Sequence, residues 1–150
     1  MSRLTSRGFT LLELLLVLAL LATLVGLTGL SFGHDPQRQA QQEASLFRQM
    51  LQLARQRAVL EGAPFGVWVE GQEYRLYRRS QQSWEPAGEP RDTGLRLLLL
   101  LDGQLPAQDG EPQLLIHEND EHSVFSLHFH QDVERLASVS SDGLNDPWLE

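Results

Sequence analysis

From Phe9 to Phe32 the chain runs for 24 residues with a single charged side chain, Glu13. As a helix rising about 1.5 Å per residue, such a stretch reaches roughly 36 Å, enough to cross the apolar core of a bilayer. The run therefore predicts a helix inserted in a membrane at some stage of the protein's life. The exception inside it is informative, because a carboxylate deep in an apolar helix costs on the order of 2.5 to 3.5 kcal/mol on insertion scales and calls for a partner. Near a helix N-terminus a negative charge is also tolerated on its own account.

The residues in front of the run suggest where a partner comes from. Arg7 and Gly8 precede Phe9, and Glu13 follows four residues later. A glycine between a short basic leader and an apolar run offers an unhindered peptide bond to a membrane-facing protease. Cleavage there makes Phe9 the new N-terminus, whose amine, with a reference pKa of about 7.7 to 8.0, is largely cationic near neutral pH. Glu13 then has an opposite charge to pair with, in its own chain or in a neighbouring subunit displaced along the helix axis.

Arg7-Gly8-Phe9-Thr10-Leu11-Leu12-Glu13 resembles the signal of the type IV pilin-like family, which includes type IV pilins and type II secretion pseudopilins. The resemblance implies that a prepilin peptidase cuts after Gly8, that the Phe9 amine is methylated, and that Glu13 is the assembly glutamate. It implies four segments: a leader peptide at 1–8, a transmembrane assembly helix at 9–33, an amphipathic helix at 34–62 and a periplasmic β-rich domain at 63–150.

Charge gives the orientation. The formal total of −8 divides into +3 over residues 1–57, with six arginines against three acids, and −11 over residues 58–150, with six arginines against 17 acids. Arg3 and Arg7 precede the apolar run and stay cytoplasmic under the positive-inside rule, which puts the C-terminal domain on the other side of the membrane. An ordinary secretory signal is a poorer reading, since the run is long and Leu30-Ser31-Phe32-Gly33 is a weak cleavage site. Without cysteines there is neither a disulfide brace nor thiol chemistry.

Gly33-His34-Asp35-Pro36 interrupts the run, and Asp35 and Pro36 suit the N-cap and first position of a second helix. Ala40, Ala44, Phe47, Leu51, Ala54 and Ala58 recur at helical spacing up to Glu61, with Gln37, Arg38, Gln41, Gln42, Arg48, Gln52, Arg55 and Gln56 assigned to the other faces. Four alanines in that stripe let a sheet approach closely, and Gly62 and Pro64 stop the helix. Phe65–Val69 and Tyr74–Arg78 then read as a hairpin, residues 80–94 as a loop around Trp84, and 95–101, 114–116, 123–130 and 133–139 as further strands, with Asp142-Gly143 as a late turn. One long N-terminal helix followed by strands is an α+β pattern. Through Leu53-Ala54-Arg55, Gly62-Ala63-Pro64-Phe65-Gly66-Val67, the Tyr74 strand and the Trp84 loop it resembles the H-type minor pseudopilins. That resemblance implies two antiparallel sheets packed on the helix, and it thins beyond about residue 105.

Other chemistry is thinly represented. His128, His130 and Asp132 would share a face of an extended strand and suit a borderline metal, with His117, Glu118, Asp120, Glu121 and His122 nearby in sequence. Asp142, Asn145 and Asp146 are similar to the calcium loop of major pseudopilins. Neither set has a specific metal spacing, so no metal and no cofactor is expected. There is no Ser-His-Asp order, phosphate loop or cysteine nucleophile that points to an enzyme. Arg75, Arg78 and Arg79 form the only basic cluster of a domain at −11, which is unsuited to nucleic acid.

The family resemblance thus implies a minor pseudopilin near the tip of a type II secretion pseudopilus. Its partners would be other minor and major pseudopilins, the prepilin peptidase and the inner-membrane secretion platform. It would sit first in the inner membrane as a single-pass protein and later in the periplasmic pseudopilus. The alternative from the same resemblance is a minor pilin of a type IV pilus or DNA-uptake system.

Overall fold

A computed structural model of the 150-residue chain describes residues 10–29 and 35–150. It divides into two units, one up to His34 and one from Asp35 to Glu150. In the first, helix α1 spans Leu11–Gly29, about 28 Å at 1.5 Å per residue. Among the described residues no helix is long and apolar enough to cross a membrane. The 24-residue run expected to do so extends past the described residues at both ends, to Phe9 and to Leu30–Phe32.

The second unit opens with helix α2, Pro36–Glu61, over the stretch marked out by periodicity. Its ends are built as the sequence suggests. Asp35 Oδ1 accepts from the Gln37 amide at 3.1 Å and Pro36 takes the first turn, where a missing N–H costs nothing. At the other end Gly62 is left-handed, φ 59°, and its amide closes on the Ala58 carbonyl. Ala40, Ala44, Phe47, Leu51, Ala54 and Ala58 form the buried stripe.

Strands β1 (Phe65–Glu70) and β2 (Glu73–Ser80) make the expected hairpin, pairing Phe65 with Arg78 and Val69 with Tyr74. The segment read as a loop at 80–94 contains two short strands, β3 (Ser83–Pro86) and β4 (Arg91–Asp92), side by side along the same edge of β2. Pro86 ends β3 on the rim of the sheet, where it has no ladder bond to donate. On the far side of β1 lies β6 (Leu114–Ile116), completing a five-stranded sheet in the order β3-β2-β1-β6, with β4 paired to β2 at the other end of the edge that β3 occupies. Gly66 is where the covering loop comes closest: a Cβ there would lie 2.6 Å from Pro112 Cβ and 3.1 Å from the Trp84 ring.

The second sheet has the order β5-β7-β8-β9, from β5 (Arg96–Leu101), β7 (Phe125–Gln131), β8 (Glu134–Ser141) and β9 (Trp148–Leu149), all antiparallel. The last of these has no counterpart in the sequence reading. Alternation along β7 sends Phe125, Leu127 and Phe129 into the core. The strand expected from Val133 begins one residue later, leaving Val133 95% exposed at the hairpin tip.

Phe47 binds the layers together. Its ring stands edge-on to Tyr74 of the first sheet, 5.0 Å between centroids at 88°, and to Phe125 of the second, 6.1 Å at 71°. Such edge-to-face pairs add about 0.5 to 1.5 kcal/mol beyond burial. The fold is therefore α+β, a long helix against two antiparallel sheets, as the resemblance implied.

Candidate assembly and processing site

The site expected at the N-terminus is described from Thr10 onward; Gly8 and Phe9 lie outside the described residues. Thr10 starts α1. Its Oγ1 accepts from the Glu13 amide at 3.3 Å, and its carbonyl accepts from the amides of Glu13 at 3.0 Å and Leu14 at 3.2 Å. Thr10-x-x-Glu13 thus has the spacing of a capping box, with the acid in the first turn at the positive end of the helix dipole. Glu13 and the apolar side chains around it are exposed, from Leu11 at 78% to Val17 at 42%. An apolar helix with one acid near its start is a surface awaiting other apolar matter.

In the second unit the structure reveals a polar centre that sequence reasoning missed. Arg55, assigned above to the outer faces of the helix, is buried. Its Nε meets Asp120 Oδ1 at 3.0 Å and its Nη1 meets Asp146 Oδ1 at 2.9 Å. It also donates to the Leu144 and Asn145 carbonyls at 3.3 and 3.4 Å. The guanidinium thereby ties α2 to two loops. Close by, the buried His122 Nε2 lies 2.6 Å from Ser141 Oγ. Burial, and then the Arg55 charge, push the His122 imidazole below its ordinary pKa. Only an acid-rich loop facing an arginine beside an apolar stripe could have hinted at this.

The metal candidates do not come together. His128 Nδ1 is engaged with Ser138 Oγ at 2.8 Å, the His128 and His130 rings are edge-on at 6.2 Å, and Asp132 has left the strand for a turn residue with φ 53°. Asp142 accepts from the Leu144 and Asn145 amides and the Asn145 side chain, which holds its carboxyl down at about 2, while Asp146 belongs to Arg55. Among the described residues no group of three His, Cys, Asp or Glu side chains is arranged to hold a metal. Nor is there a free basic patch at the hairpin. Arg78 pairs with Glu61 at 2.7 Å, Arg79 stacks over Trp84, and Arg75 donates to the Gly88 carbonyl.

A long amphipathic helix on two antiparallel sheets, headed by an apolar helix with an acid in its first turn, defines a type IV pilin-like chain. The fold is similar to the minor pseudopilin EpsH from the type 2 secretion system of Vibrio cholerae, with a TM-score of 0.64 at 20% identity over 74% of this chain and 94% of that one. It is also similar to E. coli GspH, with a TM-score of 0.66 at 22% identity over 79% and 94%. Residues 3–29 match the prokaryotic N-terminal methylation motif. The type II secretion system protein H of Pseudomonas aeruginosa is 32% identical over 97% of this chain and 96% of its own length, and that of E. coli K12 is 31% identical over 81% and 79%. The chain belongs to the type II secretion system protein H family.

Proposed function

We propose that this chain works as a minor pseudopilin: a structural subunit made as a precursor, cut after Gly8 by a prepilin peptidase, methylated on the Phe9 amine and built into the type II secretion pseudopilus near its tip. The observation that carries this reading is the motif at the head of α1, where Gly8, Phe9 and Glu13 keep the spacing of a processing and assembly signal and Thr10 starts the helix.

In this reading residues 1–8 are the leader, 9–33 the membrane and assembly helix, 34–62 the amphipathic helix and 63–150 the periplasmic domain. Before assembly the protein is a single-pass inner-membrane protein, its leader arginines facing the cytoplasm. Glu13 then pairs with the Phe9 amine of a neighbouring pseudopilin, so that neutralising a charge in an apolar setting drives filament growth. The other minor and major pseudopilins are its lateral partners, the inner-membrane secretion platform is where it is added, and its role is structural rather than catalytic.

The test is processing in cells that hold the prepilin peptidase. The wild-type chain is expected to shorten by the eight leader residues, and Gly8→Val to stay full length. N-terminal mass spectrometry should find methylated Phe9 only in the wild type. A shortened Gly8→Val product would overturn the reading.

A further inference from the structure

Across one end of the second sheet lies an open trough of about 350 Å³. It runs from the Asp102-Gly103 turn after β5, past Ser126 of β7, Ser140 of β8 and Asp142 just beyond it, to Trp148 and Glu150 at β9. Trp148 is 43% exposed, and its indole N–H donates to Glu150 Oε1 at 3.2 Å. Ser126 and Ser140 share one hydrogen bond between hydroxyls at 3.0 Å, leaving further acceptor positions. Among the described residues the Asp102 carboxylate makes no hydrogen bond, and Glu150 uses one oxygen. Asp142 already accepts three hydrogen bonds within the turn it caps.

We infer that this trough binds an uncharged, hydroxyl-rich ring ligand, namely a saccharide. The indole offers a flat apolar surface for the C–H face of a sugar, and carboxylates and serines around it accept and donate to ring hydroxyls. No basic side chain lines the trough, which disfavours phosphates and nucleic acid. The acids are not grouped to hold a metal. A lipid chain would leave the two acidic groups and the serine pair desolvated without partners.

The experiment uses the full chain, ¹⁵N-labelled, in phosphocholine micelles, because glycoside detergents would compete. Tri-N-acetylchitotriose and maltotriose are titrated while the three indole N–H resonances are followed. At least one sugar should move the Trp148 indole and the Ser126 and Ser140 amides with a dissociation constant in the millimolar range, leaving the Trp84 indole in place. Trp148→Ala should remove the response. Asp102→Asn and Glu150→Gln, which keep the shape of the trough, should each weaken binding by about tenfold, the worth of one hydrogen bond to a charged group at the low end. If Trp148→Ala loses the β8–β9 pairing, the two conservative variants carry the test. Absence of a Trp148 response to both sugars overturns the proposal, as do shifts of undiminished size and affinity in the conservative variants.

Discussion

His122 and Ser141 share a 2.6 Å contact inside the second unit, and Ser141 Oγ also accepts from the Gly143 amide at 3.2 Å. The hydroxyl can therefore give its proton to a neutral imidazole while holding the start of the turn. A charged imidazole would sit buried beside Arg55, and burial and that charge outweigh the pull of Asp120 and Asp142 in the opposite direction. His128 is lowered in the same sense, by burial first and then by Arg135 and His130. A histidine whose folded pKa lies below its unfolded 6.5 favours the folded state above that value, and the benefit is lost as pH falls through 6.5 toward the folded pKa. Urea midpoints should thus be level above about pH 6.5 and decline below it. His122→Gln should flatten part of that decline and leave the share owed to His128. An unchanged pH slope in the variant would show that the Ser141 contact does not couple to folding.

Between elements, Arg55 is the main polar link from α2 to the loops around Asp120 and Asp146. Its two acidic partners are largely exposed and can rehydrate if it is removed, but the Leu144 and Asn145 carbonyls lose their donor and the buried stem loses its packing. Arg55→Met should lower stability by about 2 kcal/mol. Amide exchange in residues 143–146 should quicken while the β1–β2 hairpin keeps its protection, an outcome that hydrogen exchange measures directly. Helix α2 and the β1–β2 hairpin were legible in the sequence because their signals are local: a periodic stripe between a cap and a glycine, and alternation across a short turn. Strands β3, β4 and β9 were not, since two to four residues carry no period and are strands only because an edge of β2 or β8 receives them. Arg55 escaped for a related reason, its partners lying 65 to 91 residues away in the chain. Leu53 and Leu60, spaced seven apart and exposed at 57% and 84%, were readable as a second stripe on α2 but were hidden by the stronger buried one.

For the whole molecule the proposed role turns on one acid. Glu13 is the single charge in α1, and among the described residues its helix neighbours are leucines, Val17 and a capping threonine. Glu13→Ala keeps Gly8 and Phe9, so leader removal should proceed as in the wild type. Incorporation into the pseudopilus should fail, because the step that neutralises a charge between subunits has been deleted. Fractionation should then find the shortened protein in the inner membrane, with export of secreted proteins reduced. Normal export by this variant would sink the charge-pairing mechanism while leaving the processing claim untouched.

The packing of α2 has a further consequence, for the order in which the chain acquires its shape. The buried stripe from Ala40 to Ala58 rests more on β8 than on any other strand, and β8 begins only at Glu134. A chain delivered N-terminus first presents that stripe before its cover is complete, and the whole stretch from Gly62 to Val133 must arrive before the strand that covers it most does. Its alanines keep the waiting surface small and weakly adhesive, whereas leucines in their place would give passing chains far more to grip.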